Sequence, residues 1–293
     1  MINFRSKNRI PALCYFHCKI PQNTTHNDHS KITPPQSTQG YKGLKFSSLW
    51  RAGQIKTGIT GSRQPEDEKF ISEIGENCHF NGHSRVVVFD CRPWTNAAAN
   101  RLTGKGYLNS KNYKLEAIIF GDIDNIHVMR NSYHSVVSNL FKQKSSNALA
   151  EWYSHVKRLL DGAFKVASLL CEGFSVVVNC SDGWDRTPQT SSLTKILLNK
   201  VFRTFSGFRV LVNYEFIGFG HKFQDRQDYS EEGKESSPVF IQFLDCVYQI
   251  LCQHPNEFEF NSLFLKDLAL AYNENRFKEF AFNKFIVRKQ QKN

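Results

Sequence analysis

The chain has 293 residues, 40% of them apolar, with 38 Lys+Arg against 27 Asp+Glu and a formal charge of +11. That length supports a sizeable buried core and excludes a short module stapled by disulfides. Residues 1–50 hold seven basic and one acidic residue and 284–293 hold four basic and none acidic, so 51–283 is nearly balanced, which excludes a uniformly basic nucleic-acid-binding domain.

The N-terminal MINFRSKNRIPALCYFHCKIP is interrupted by Arg5, Lys7 and Arg9 and offers no apolar core of signal-peptide length. No run approaches the roughly 18 apolar residues of a membrane helix. Residues 18–47, rich in Asn, Thr, Ser, Gln and Pro, read as a loop or disordered insertion. RVVVFD (85–90) and LEAIIFGD (115–122) read as buried strands, separated by a Gly- and Asn-bearing stretch. From Leu149, apolar positions 149, 152, 156, 159, 160, 163, 167 and 170 predict a long amphipathic helix that ends near Gly173. FSVVVN (174–179) reads as a buried strand, CSDGWDR as a tight polar loop, and TPQTSSLTKILLNKVFRTF as a helix. Further helices are expected at 237–253 and 258–272. Helices interleaved with buried strands give an α/β domain with one central sheet. The expected division is an N-terminal segment with its insertion (1–48), a catalytic body (49–283) and a basic tail (284–293).

The eight cysteines form no C-x-x-C pair, and reduced thiols in a cytosolic protein are expected. His17-Cys18 and Cys78-His79 are adjacent pairs without a second half, and His127 and His221 are expected to hold structure, so neither a metal nor a cofactor is expected. Trp50, Trp94, Trp152 and the many Phe residues are expected in the core.

Cys180 alone among the eight has an Arg six positions on, Arg186, and it alone follows an expected buried strand and precedes an expected helix. Five intervening residues let successive backbone N–H groups converge beside a helix N-terminus, a cradle for a phosphate dianion. The same field favours a Cys180 thiolate, the nucleophilic form, and Arg186 can grip two phosphoryl oxygens in its planar fork. Asp182 and Asp185 are unusual in an anion site. Each has three readings: a proton donor to a leaving alkoxide, an acceptor for substrate hydroxyls, or a structural partner of the helix or of Arg186.

CSDGWDRT (180–187) resembles the signature loop of the myotubularin family of phosphoinositide 3-phosphatases. Further blocks resemble the family in its order: NRIPALCYFH (8–17), LWRAGQIKTGITGSRQPEDEKF (49–70), FDCRPWTNAAAN (89–100), GYLNSKNYKLEAIIFGDIDNIHVMR (106–130), FRTFSGFRVLVNYEFIGFGHKFQDR (202–226) and SPVFIQFLDCVYQI (237–250). The resemblance implies a cysteine-dependent, protein-tyrosine-phosphatase-like α/β fold with a central mixed sheet flanked by helices. It implies removal of the 3-phosphate from phosphatidylinositol 3-phosphate and phosphatidylinositol 3,5-bisphosphate through a phosphocysteine, without a metal.

Carried over to this chain, the resemblance makes Cys180 the nucleophile, Arg186 the phosphate clamp and Asp185 the general acid. Asp182 would bind the inositol ring, and backbone groups of Ser181, Gly183 and Trp184 would complete the cradle. Asn100, Asn125 and Ile126 fall where the family contacts the headgroup, and Lys222 and Arg226 where two basic residues reach substrate phosphates. Asn179 stands in place of a usual His, and Lys222 in place of a usual Arg. Neither a PH-GRAM domain nor a coiled coil falls within the resemblance. Expected partners are phosphoinositide headgroups, a peripheral membrane contact, which the basic tail could share, and homo- or hetero-oligomers within the family, with no nucleic acid. The expected location is cytoplasmic, peripheral on endosomal or other intracellular membranes. The rival readings are an inactive phosphoinositide-binding scaffold of the same family and a protein tyrosine phosphatase.

Overall fold

The computed structural model describes residues 16–20, 45–54, 63–76, 86–101, 107–108, 110–142, 147–228 and 233–283. The basic tail at 284–293 and most of the expected insertion lie outside the described residues. Among the described residues there are five strands, β1 (Phe16–Ile20), β2 (Lys45–Ala52), β3 (Val86–Asp90), β4 (Ala117–Phe120) and β5 (Ser175–Asn179). They form one sheet in the order β1-β2-β5-β3-β4. β1 runs antiparallel to β2, and β2, β5, β3 and β4 are mutually parallel, so the sheet is mixed as expected.

The apolar runs of β3 and β5 are continuous because both faces of the sheet are covered. Val87, Phe89, Val176 and Val178 join one core with Trp152, Leu159 and Ala163 of α5 (Ala148–Cys171) and Leu193 and Ile196 of α6 (Arg186–Leu198). Val86, Val88 and Val177 face the other way, onto Ile71 and Ile74 of α1 (Pro65–Glu76) and Tyr113 of α3 (Ser110–Tyr113). The remaining helices are α2 (Trp94–Arg101), α4 (Ile126–Lys142), α7 (Phe205–Val212), α8 (Phe223–Gln227), α9 (Val239–Gln253) and α10 (Ser262–Asn273).

Several expectations are corrected. The loop reading of 18–47 fails at 18–20 and 45–47, which belong to β1 and β2, and a boundary at 48/49 runs through β2. β2 carries no apolar run because Ser47 and Ser48 occupy buried positions. The Ser48 and Ser175 hydroxyls lie 2.8 Å apart, which satisfies both inside the sheet. The helix expected from 258 begins at Ser262, because the Asn261 carboxamide oxygen accepts from the N–H groups of Leu263 and Phe264 at 3.1 and 3.2 Å. The helix after the polar loop stops at Leu198, where Asn199 turns extended. Trp152 is buried as expected, but Trp94 is 55% exposed, because it opens α2 just beyond the sheet edge.

Candidate active site

Four parallel strands deliver four connections to one edge of the sheet. Gln54 follows β2, Cys91 and Arg92 follow β3, Ile123 to Ile126 follow β4, and Cys180 to Asp185 follow the central β5. Ligands in open parallel sheets bind at this C-terminal edge.

The loop after β5 wraps around a sulfur. Cys180 is buried, and its Sγ accepts from the Gly183 N–H at 3.3 Å and from the Thr187 hydroxyl at 3.2 Å. The curl depends on Gly183, whose φ of +86° suits glycine, and a Cβ there would stand 3.0 Å from the Ala52 carbonyl oxygen. From outside, the Ser181 carbonyl accepts from the Gln54 N–H at 3.0 Å and the Gly183 carbonyl from Arg51 Nη2 at 2.7 Å. These two bonds fix the peptide units on either side of the Gly183 N–H, which itself faces the sulfur. Arg186, the first residue of α6, arches over the loop, donating to Ser181 Oγ at 3.2 Å and to the Ile123 carbonyl at 3.1 Å. That second bond brings the β4–α4 connection, which carries Asn125 and Ile126, beside the loop.

The two aspartates separate in role. Asp182 is exposed at the loop's outer turn. Asp185 is buried at the N-cap position of α6, yet its side chain makes no cap bond. Instead Arg226 grips it, Nε to Oδ1 at 3.0 Å and Nη2 to Oδ2 at 2.8 Å, and His221 Nδ1 lies 3.2 Å from Oδ1. Burial by itself would raise the Asp185 pKa, but the His221 hydrogen bond and the Arg226 charge outweigh it and hold the carboxyl well below its usual range.

The remaining expected site residues are placed as follows. Lys222 keeps its ammonium 4.9 Å from the centre of the Trp184 ring, within 3.4 Å of Asp225 and 3.6 Å of Glu235, on the loop's flank. Arg226 is 2% exposed and engaged with Asp185 and Glu235, so it backs the loop and is not presented as a free phosphate contact. Asn125 spends its carboxamide oxygen on the N–H groups of His127 and Val128, capping α4. Asn100 lies on α2, and its side chain is outside the described residues. His221 is fully buried and bonds the Trp184 carbonyl at 2.6 Å, the structural role expected of it. No cluster of three or more His, Cys, Asp or Glu that would suit a metal is found among the described residues.

Two buried charge networks were not legible as site residues. Arg51 donates to Glu215 Oε2 and to the Glu215 carbonyl, both at 2.6 Å, while Lys195 of α6 pairs with the other carboxylate oxygen. Burial would raise the Glu215 pKa, but the charges of Arg51 and Lys195 lower it. In the second network, Asp90 holds Arg92 through Nε at 2.9 Å and Nη2 at 2.6 Å, Arg92 reaches Gln54 at 2.5 Å, and Asn179 Nδ2 lies 3.4 Å from Asp90. Asn179 thus joins the network that seats Gln54 against the loop. The available signal was a charged residue in or just past the C-terminal end of a strand, Arg51 in β2, Asp90 in β3 and Arg92 two residues beyond it.

Comparison with known proteins falls on this same site. Residues 40–289 match the family described as the myotubularin-like phosphatase domain. The chain is 37% identical over 300 residues to myotubularin of Xenopus laevis, covering 99% of this chain and 45% of that protein. It is 37% identical over 274 residues to the phosphatidylinositol-3,5-bisphosphate 3-phosphatase MTMR2 of Gallus gallus, covering 90% of this chain and 43% of that protein. The chain thus spans less than half the length of these relatives. A match across nearly the whole described body, enclosing the β5–α6 loop, settles the kinship: the chain belongs to the myotubularin-like phosphatase family.

Proposed function

We propose that this chain is a cysteine-dependent phosphoinositide 3-phosphatase of protein-tyrosine-phosphatase-like fold, hydrolysing the 3-phosphate of phosphatidylinositol 3-phosphate and phosphatidylinositol 3,5-bisphosphate. The observation that carries the reading is the sulfur of Cys180, enclosed by the Gly183 N–H and the Thr187 hydroxyl beneath the Arg186 guanidinium. Those donors stabilise a thiolate, and the arching fork fits the equatorial oxygens of a transferring phosphoryl group. The naming of the MTMR2 relative as a 3-phosphatase supports the substrate class.

In the proposed reaction the Cys180 thiolate attacks phosphorus, the bond to the inositol 3-oxygen breaks, and that oxygen takes a proton. Water then attacks the phosphocysteine and the S–P bond breaks, returning the thiolate. Asp185, ionised in the resting loop, suits the second step as acceptor of the water's proton. A bound phosphate dianion opposes the pull of Arg226 on Asp185 and raises its proton affinity for the first step. Asp182, exposed at the rim, accepts from ring hydroxyls, and Asn100, Asn125, Ile126 and Lys222 flank the headgroup. The headgroup sits in a cytoplasmic leaflet, endosomal membranes among those served, and the exposed Trp94 at the site's edge of the sheet supports a peripheral contact.

Phosphate release from vesicles bearing each phosphoinositide, with a phosphotyrosine peptide as a parallel arm and Cys180→Ser as control, tests the reading. Release from the 3-phosphorylated lipids alone, abolished by Cys180→Ser, is expected. Absence of release from both 3-phosphorylated lipids would overturn it, and release from the peptide alone would make the chain a protein phosphatase.

A further inference from the structure

The connection from β4 to α4, residues 121–125, carries the Ile123 carbonyl that accepts from Arg186 at 3.1 Å, and it ends on Asn125 at the head of α4. On one side it hangs on the end of β3, the Gly121 N–H donating to the Asp90 carbonyl at 2.7 Å and the Ile123 N–H to the Cys91 carbonyl at 2.9 Å. Between these two bonds Asp122 has a φ of +51°, a left-handed conformation that costs a non-glycine residue about 1–2 kcal/mol. A strained residue of this kind persists where its surroundings over-determine it.

On the other side stands α5. His155, Arg158 and Gly162 follow one another at helical spacing and share a face of it. His155 Nδ1 lies 2.9 Å from Asp124 Oδ2, Arg158 Nη1 lies 2.5 Å from the same oxygen, and a Cβ on Gly162 would come within 3.4 Å of Ile123 Cδ1. His155 is buried, whereas Arg158 is half exposed. The His155 hydrogen bond, opposed by burial and aided by the Arg158 charge, holds the Asp124 carboxyl below its usual range and so ionised at neutral pH. α5 is in turn keyed to α6: Gln189 donates to Gln242 Oε1 at 3.0 Å, and Gln242 donates to the His155 carbonyl at 3.3 Å. Arg186 opens α6, so both partners of the Arg186–Ile123 bond are referred to the same stretch of α5.

We propose that Asp124, His155 and Arg158 are positioning residues for the phosphate clamp: they hold the β4–α4 connection so that its Ile123 carbonyl orients the Arg186 fork over the Cys180 sulfur. This rests on the reading of Cys180 to Arg186 as a phosphatase loop. Arg186 donates to Ser181 Oγ and to Ile123; the first acceptor belongs to the loop itself, and the second fixes the fork against the body of the domain. The fork grips phosphoryl oxygens in a planar, bidentate geometry, and a displacement of about 1 Å costs roughly 10²-fold in rate. The three residues act through Ile123 and not on the phosphoryl group itself.

The test compares the wild type with Asp124→Ala, His155→Leu and His155→Asn in steady-state phosphate release from soluble, short-chain phosphatidylinositol 3-phosphate. Orthovanadate binding by calorimetry, as a mimic of the transferring phosphoryl group, and urea unfolding are read on the same samples. An Asn at 155 presents an amide N–H where Nδ1 stands, and a Leu fills the space without a donor. Asp124→Ala and His155→Leu should lower kcat about 10²-fold, with little change in KM, and should weaken vanadate binding by a similar factor. His155→Asn should recover most of both losses. A structural role alone would lower the unfolding midpoint and leave kcat of the folded chain unchanged; that result, or a His155→Asn variant as impaired as His155→Leu, would overturn the inference. Should the buried variants fail to fold, Arg158→Gln decides, because its side chain is half exposed: a reduced kcat supports the clamp and an unchanged one overturns it. A wild type that releases no phosphate removes the phosphatase reading, and vanadate binding then still tests the positioning, weaker binding in the variants supporting it and equal binding overturning it.

Discussion

Arg226 holds both carboxylate oxygens of Asp185, at 3.0 and 2.8 Å, in a pair that is almost wholly out of solvent. A buried carboxylate gripped in this way is a strong structural link between the phosphate loop and α8, and it is also the group nearest in sequence to the clamp Arg186. On the proposed mechanism Asp185→Asn removes the proton carrier and keeps the shape. The expected outcome is a fall in kcat of roughly 10²–10⁴ with little change in KM, measured by steady-state phosphate release; an unchanged kcat would assign proton transfer to another group.

The same pair sets an acid limit on stability. Asp185 titrates below its ordinary value of 3.8 in the folded chain, so its contribution is fully present above that value and is lost as pH falls through the lower folded one. The difference in unfolding free energy between wild type and Asp185→Asn should stay flat from neutral pH to roughly pH 5 and then shrink on further acidification. Urea unfolding at a series of pH values reads this directly, and a difference that grows toward acid would reverse the assigned direction.

A second buried carboxylate carries two cations. Glu215 is fully buried and paired with Arg51 and Lys195, and Arg51 in turn holds the Gly183 carbonyl. Glu215→Gln leaves two buried cations facing a neutral amide, and a loss of about 3–5 kcal/mol is expected, seen as a lowered unfolding midpoint. Arg51→Lys keeps the charge but gives up the fork that reaches Glu215 and Gly183 together. That variant should stay folded and lose roughly 10²-fold in kcat/KM.

How much of this was legible in the sequence follows from how each residue is satisfied. β3 and β5 announce themselves because covered sheet faces demand continuous apolar runs, and the loop after β5 because Cys180 and Arg186 keep a spacing that a phosphate cradle needs. β2 was hidden because two of its buried positions are serines, one of them satisfied across the sheet by Ser175. α6 hides its depth in the same way: Thr187, Gln189, Thr190, Ser191, Ser192 and Thr194 are all buried, so a helix in the molecule's interior reads as polar. Arg51, Arg92 and Glu215 were missed as site residues because a charged side chain shows its partner only after folding, and Arg51 and Glu215 stand 164 residues apart. Arg226 was found by resemblance, but its engagement with Asp185 depends on folding alone.

Gly183 offers a sharp test of the loop itself. Its φ is positive, and a Cβ added there would come within 3.0 Å of the Ala52 carbonyl oxygen, so Gly183→Ala strains the curl from two directions. The core does not depend on this residue, so the expected cost in stability is modest, about 1–2 kcal/mol. The Gly183 N–H should swing from the sulfur, and binding of vanadate or inorganic phosphate should weaken far more than the unfolding midpoint moves. Equal binding in variant and wild type, measured by calorimetry, would show that the loop amide does not cradle the anion.

The proposed membrane contact rests on Trp94. It follows β3 as Cys180 follows β5, so both leave the same edge of the sheet, and it is 55% exposed where a core position was expected. A half-exposed indole that enters the headgroup region gains about 1–2 kcal/mol, roughly 5–30-fold in partition. Trp94→Ala should therefore weaken sedimentation with vesicles by that factor and lower the rate on vesicle-borne phosphatidylinositol 3-phosphate. The rate on a soluble, short-chain form of the same lipid should be unchanged, because the contacts that seat the phosphate loop among the described residues come from Arg51, Gln54, Ile123 and Arg226 and not from Trp94. A matching loss on both substrates would place Trp94 in support of the site's shape and remove it from the membrane contact.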